Sequence, residues 1–259
     1  MPGTERIVIV QDRERRLFRE LGSTLRVVDR EQASVIVGWN SVTRANARLL
    51  LLFLAGWLER FFVGTIHGGR RAIYTLSRQG AALIEAPYRG IRRRSGRWFS
   101  SDLFVEHQLR INSIFITAKH RAFPSPGVRL LTWRAFYDPI SAAIPLMPDA
   151  YFEIGISGGV RASFLEVDLG NESQRIWRAK VNRYLHLAIS GEFSRTFQQQ
   201  QFRVLVIAHS HRRLEQIRQT ASKVTDKIFW FATFNDIQRD GLWSQIWLRP
   251  IGDQRHSLL

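Results

Sequence analysis

The sequence has no cysteine, which excludes a disulfide framework and any thiolate metal centre. A bound metal would have to rest on carboxylates or histidines. Long apolar runs are missing too. The strongest, Leu49 to Leu54, is far shorter than the roughly 20 residues that cross a bilayer. The opening MPGTERIVIV lacks the basic start and apolar core of a secretory leader. The expectation is a cytoplasmic protein with no membrane partner. Acidic residues are scarce: 22 against 38 basic ones give a formal charge of +16, an imbalance that points to a polyanion. Lysine is absent from the first 97 residues, where every cation is arginine, the side chain suited to bidentate phosphate and guanine contacts. Charge alone does not separate DNA from RNA or from an anionic membrane.

What is present reads as α/β. Leu17, Phe18 and Leu21 keep helical spacing, and Asp29 is placed to cap a second short helix. A further helix is expected from near Thr43 to Ala55. Its start carries Arg44, Asn46 and Arg48, and its stripe Ala47, Leu50, Leu51 and Leu54 is expected to pack inward. Two strands follow around a basic glycine tip, Gly68-Gly69-Arg70-Arg71. Helix, turn, helix and basic ribbon predict a winged helix-turn-helix over residues 1–86 that binds double-stranded DNA through Arg44, Asn46, Arg48, Arg70 and Arg71. Tyr74-Thr75-Leu76-Ser77-Arg78-Gln79-Gly80 resembles the Y-x-L-T-x-x-G ending of many bacterial winged-helix regulators. The competing reading is a protein-interaction module with a solvated arginine face. Residues 87–98, PYRGIRRRSGRW, read as a basic linker whose Arg92, Arg93 and Arg94 are further candidates for the phosphate backbone.

From residue 99 the periods predict a long amphipathic helix, three strands, a helix, a strand, a helix and a strand, hence a mixed sheet flanked by helices over 99–259. Ser157-Gly158-Gly159 is expected to turn the second strand into the third. Pro148-Asp149 begins one hairpin strand, and Glu166-Val167-Asp168 ends its partner. Glu166 and Asp168, two apart, project from the same face. With Asp149 they form a candidate oxygen cage for Mg²⁺. In the plainer alternative Asp149 caps the hairpin, Glu166 and Asp168 are exposed ends of an edge strand, and Lys180 and Tyr184 only pack. Trp243 and Trp247 are candidates for a homodimer interface.

The arrangement resembles the PD-(D/E)xK nucleases, the restriction-endonuclease-like fold, with Asp149 and Glu166 at the two acidic positions. That resemblance implies metal-assisted phosphodiester hydrolysis, but the lysine of the pattern is replaced by Asp168. Lys180, on the following helix, is a displaced substitute, and Glu106 matches a position where some members carry another acid. Over nearly the whole chain, Glu106-His107, Met147-Pro148-Asp149-Ala150, Phe164 to Glu172, Lys180 and Tyr184 are similar to the replication-relaxation family of plasmids and mobile elements. This likeness implies a role in replication or DNA relaxation. The rival expectation is a non-catalytic replication or transcription accessory whose nuclease-like domain serves dimerisation or partner binding.

Overall fold

A computed structural model describes residues 8–64, 68–88 and 102–259. The chain divides into two compact units, Met1–Ile116 and Thr117–Leu259, and the fold class is mixed α/β. The first unit contains α1 (Asp12–Ser23), β1 (Val28–Asp29), α2 (Arg30–Val37), α3 (Val42–Leu54), β2 (Leu58–Gly64), β3 (Arg70–Leu76) and α4 (Arg78–Leu83). The residues of α5 (Asp102–His120) up to Ile116 also belong to it. Asp29 caps α2 by accepting from the Gln32 N–H, and Gly38 ends it in the left-handed conformation. Ser41 caps α3 by accepting from the Arg44 N–H. Strands β2 and β3 form an antiparallel hairpin from Leu58 opposite Leu76 to Gly64 opposite Arg70, and β1 pairs with the other side of β3. The result is a helix-turn-helix followed by a hairpin, as the residue pattern predicts.

Two expectations change here. Helix α3 buries Ala45, Leu49 and Leu52, whereas Leu50, Leu51 and Leu54 lie outside, Leu54 at 68% exposure. Six consecutive apolar residues fit either face of a helix, so periodicity does not choose between them. Helix α5, expected to open the second domain, places Val105 and Leu109 in a cluster with Val27, Phe61, Val63 and Ile73. Gln32 Nε2 donates to the Leu109 carbonyl, and Asn112 Nδ2 to that of Val27. Of the expected linker, 89–98 lies outside the described residues, and Arg92, Arg93 and Arg94 with it.

The Tyr74 to Gly80 motif has a packing explanation. The Ser77 hydroxyl donates to the backbone carbonyls around Gly56 and Trp57 and accepts from the Gly80 N–H, so it caps α4 while gripping the turn before β2. A Cβ on Gly80 would lie 2.2 Å from the Trp57 carbonyl oxygen, closer than any relaxed contact.

The second unit contains β4 (Arg129–Ala135), β5 (Ala150–Ile156), β6 (Gly159–Asp168), α6 (Gln174–Ile189), α7 (Glu192–Phe197), β7 (Phe202–Ala208), α8 (His211–Ser222), β8 (Phe229–Thr233), α9 (Phe234–Asp240), β9 (Trp247–Leu248) and β10 (Arg255–His256). They build a seven-stranded sheet in the order β10-β9-β8-β7-β6-β5-β4. Strands β4, β5 and β6 form an antiparallel meander, β6, β7 and β8 run parallel, and β9 and β10 return antiparallel. The β5–β6 hairpin turns at Ser157 to Gly159, where it was expected. Trp177, Val181 and Tyr184 of α6 and Leu214 and Ile217 of α8 share one core with Phe164, Val204 and Phe229 of the sheet. Trp243 and Trp247 are 8% and 0% exposed, and the Trp247 indole donates to the Leu242 carbonyl. Both therefore fill this unit's core and present no surface for a dimer.

Replacing Gly80 with Ala is expected to cost about 1–3 kcal/mol, the range for overpacking against atoms that cannot retreat. Thermal melts of the variant beside a Ser77→Ala control measure the loss, and an unchanged midpoint for Gly80→Ala would refute the close approach.

Candidate functional site

Strand β6 is central in the sheet, so its inward positions are sealed by α6 and α8. Glu166 and Asp168 are each 1% exposed, which replaces the exposed edge-strand alternative. Asp149 stands immediately before β5 and clamps the end of β6. Its N–H donates to the Leu165 carbonyl at 3.1 Å, and its Oδ2 accepts from the Val167 N–H at 2.6 Å. Two carboxylates thus meet at the C-terminal end of a parallel strand, the usual place for a site in open α/β sheets.

Lys180 enters this cluster from α6. Its Nζ donates to Glu166 Oε2 at 2.8 Å and lies 2.9 Å from Glu172 Oε1. One helical turn further on, Tyr184 donates its hydroxyl to Glu166 Oε1 at 2.6 Å. Spacing of i and i+4 on one helix face makes both contacts with one glutamate possible. Burial would push the Lys180 ammonium down, but the Glu166 and Glu172 carboxylates outweigh it and hold the pKa above its ordinary value. Burial pushes Glu166 up, and Asp149 adds to this, while Lys180 and Tyr184 oppose it; the result is about 7. Tyr184 is raised well above the ordinary tyrosine value, first by burial and then by Glu166, so its hydroxyl stays a donor.

Asp168 shares the strand face but not the cluster. Arg213 of α8 grips it bidentately, Nε to Oδ1 at 2.7 Å and Nη2 to Oδ2 at 2.8 Å. The Trp177 indole donates to Oδ2 and the Gly170 N–H to Oδ1, both at 2.8 Å. Burial would raise this carboxyl, but the hydrogen bonds from Arg213 and Trp177 win and hold it below the ordinary range. Among the described residues no group of three or more His, Asp or Glu side chains is gathered to hold a metal. Of the three expected carboxylates, Asp149 and Glu166 meet at the end of β6, and Asp168 is held apart by Arg213. Glu106 pairs with Arg71 and Arg110 at 2.8 Å each within the first unit. Arg213 had no role in the sequence reading. Ser210 caps α8 by accepting from the Arg213 N–H, but nothing along the chain ties Arg213 to an acid 45 residues away.

The arginines of the first unit divide in the same way. Arg48 is not a surface cation: its Nε and Nη2 each lie 2.7 Å from an oxygen of fully buried Glu14. Arg71 is partly buried between Asp29 Oδ2 at 3.4 Å and Glu106 Oε2 at 2.8 Å. Arg44, Asn46 and Arg70 are exposed. A buried carboxylate needs a cation, so Arg48 and Arg71 are engaged in ion pairs within the fold.

The replication-relaxation family model matches residues 24–200, a span that takes in the helix-turn-helix, the hairpin and the Asp149, Glu166 and Lys180 cluster. The chain belongs to the replication-relaxation family. No curated protein and no solved structure matches it. No helix among the described residues is long and apolar enough to cross a membrane. Within that span Lys180 reaches Glu166 from α6, and Asp168 stands two residues after Glu166 on β6.

The raised Glu166 carboxyl makes a pH prediction. Between about 4.5 and about 7 the folded protein keeps a proton that the unfolded chain has released, so the contribution to stability is complete below about 4.5 and is lost as pH rises through about 7. The melting temperature of the wild type relative to Glu166→Gln should fall across that window and level off above it. Parallel profiles for the two proteins would contradict the assignment.

Proposed function

We propose that this replication-relaxation protein binds double-stranded DNA through its first unit. The observation that carries the reading is the placement of free polar groups. Arg44 and Asn46 stand exposed on the leading turns of α3, and Arg70 opens β3 after the Gly68-Gly69 turn. Neither Arg44 nor Arg70 has a carboxylate partner among the described residues. A second helix whose N-terminal residues face outward is suited to read base edges in a major groove, and a hairpin arginine to meet a phosphate alongside. The basic excess of the chain adds a long-range attraction that is independent of sequence.

Arg44→Ala and Arg70→Ala are each expected to weaken binding to a mixed-sequence duplex several-fold and to lower the slope of log affinity against log salt by about 1. Fluorescence anisotropy over a salt series provides both numbers. Affinity and slope unchanged in the double variant would reject the interface.

A second reading concerns the other unit and is favoured by one contact, Lys180 Nζ on Glu166. It is metal-dependent phosphodiester hydrolysis in a restriction-endonuclease-like domain. The residues fit a hard cation only in part: Mg²⁺ is held by one or two carboxylates with phosphate and water, and Asp149 and Glu166 meet that minimum while Asp168 is committed to Arg213. Bound there, Mg²⁺ would polarise a phosphoryl oxygen and lower the pKa of a water. Lys180, charged throughout the neutral range, orients a water or stabilises negative charge on the phosphoryl group; it does not act as a base. Tyr184 fixes the Glu166 carboxylate from the side opposite Lys180. Partly buried Asp149 is the carboxylate that a phosphate reaches first.

Supercoiled and linear DNA incubated with the protein and Mg²⁺ or Mn²⁺ test this. Nicking or cleavage by the wild type that disappears in Asp149→Ala supports hydrolysis. Identical products from both proteins, with DNA binding intact, would leave the non-catalytic accessory as the reading of this unit.

A further inference from the structure

The opposite face of the seven-stranded sheet carries a second concentration of charge. Side chains alternate along a strand, so if Phe164, Val204 and Phe229 face α6 and α8, then Arg161, Arg203 and Trp230 face away. Register lines them up across the sheet: Ser163, two residues on from Arg161, pairs with Arg203 on β7, and Leu205, two on from Arg203, pairs with Trp230 on β8. The pairing of Phe231 with Leu248 puts Arg249, just past β9, beside Trp230. The side chains converge as this pattern requires. The Arg203 and Arg249 guanidiniums lie 4.4 and 4.8 Å from the centroid of the Trp230 ring. Arg161 and Arg203 both donate to the Leu258 carbonyl, at 2.9 and 3.2 Å.

We propose that Arg161, Arg203 and Arg249, grouped around Trp230, form a binding site for a phosphoryl anion on this face of the sheet.

Three features of the cluster point to an anion. First, like charges are held together with little to offset them. Neither Arg161 nor Arg203 has a carboxylate partner among the described residues, and the nearest acid influence is Asp226 on Arg249, whose guanidinium also donates to the Asp226 carbonyl. Burial, then Arg161 and Arg249, push Arg203 down to about 10, the mark of a cation kept where cations are unwelcome. Second, Trp230 is 9% exposed and its Nε1–H, buried, has no acceptor, a lack that folded proteins seldom tolerate. Third, guanidinium groups stacked on an indole are already oriented, so a planar fork of donors is presented at small cost in side-chain freedom. A phosphoryl group has the charge and the multiple acceptor oxygens that such a set of donors matches. Its source is either a free phosphate compound or the backbone of a polynucleotide. This site is separate from the Asp149, Glu166 and Lys180 cluster, which lies on the other face at the far end of β6, and it does not depend on DNA binding by the first unit.

The chain labelled with ¹⁵N has eight tryptophans, and the indole resonance that disappears in Trp230→Phe identifies the reporter. Titration with inorganic phosphate, against chloride at matched ionic strength, is expected to move that resonance saturably. In Arg203→Gln the affinity should fall by about tenfold, the usual loss when one charge-assisted hydrogen bond is removed. Arg161→Gln, at the edge of the cluster, provides the same test should the Arg203 variant fold poorly. A short duplex added in a parallel series separates the sources. If the duplex shifts the same resonance at lower concentration than phosphate does, the anion is a backbone phosphate; if only phosphate shifts it, the ligand is a small phosphate compound. No shift with either, an equal shift with chloride, or a phosphate response unchanged in both arginine variants would overturn the proposal.

Discussion

Two carboxylates buried on one face of a single strand set the requirements for the second unit. Glu166 and Asp168 sit on a central strand with almost no exposure, and an isolated buried carboxylate costs several kcal/mol even after relaxation. Neither is tolerable without donors, and β6 itself can offer only backbone. The donors come from the crossovers. Helix α6 brings Trp177, Lys180 and Tyr184, three and four residues apart along one face, and α8 brings Arg213. The helices that seal the apolar core are therefore also the ones that neutralise its acids, and their rotation about their own axes is fixed by both tasks together.

The same rule operates in the first unit with the signs reversed in emphasis. Glu14 is fully buried, accepts from the Gln11 N–H as part of a capping box on α1, and draws in Arg48 of α3. Arg71 of the hairpin is drawn toward Asp29 and Glu106. Formal charge overstates the number of unpaired cations: some arginines bind elements of the fold to one another, whereas others, Arg44 and Arg70 among them, have no carboxylate partner among the described residues.

Much of this was legible along the chain, and what was not has a common cause. The cap at Asp29 and the turn at Ser157 to Gly159 are local signals, and the structure uses both. The acid pair on β6 followed from a period of two, whereas Lys180 was expected at the cluster only through the resemblance to the nuclease pattern. What escaped were pairings across long separations: Arg48 with Glu14, Arg71 with Glu106, Arg213 with Asp168. No period or motif records which of many arginines will be captured, because capture depends on which acid the finished core has buried. The two-residue strands β1, β9 and β10 were missed because so short a segment has no pattern to read. The face of α3 was misjudged because an unbroken apolar run contains two helical stripes.

The position two residues after Glu166 brings these points together. Asp168 stands there, on the same face of β6, while the cation beside Glu166 comes from α6. An aspartate at that depth adds negative charge next to a cluster in which Glu166 and Glu172 already share one lysine and Asp149 acts on Glu166. Left unpaired, it would raise the Glu166 carboxyl further and compete for Lys180. The bidentate grip of Arg213 prevents this by confining the Asp168 charge to its own pair, with Trp177 and Gly170 taking up its remaining acceptor capacity. A lysine would not serve in place of Arg213, because a single ammonium point charge does not span both carboxylate oxygens as a planar fork does. The isolation of Asp168 is therefore a condition for Lys180 to remain on Glu166, and any chemistry at Asp149 and Glu166 rests on an arginine that touches neither.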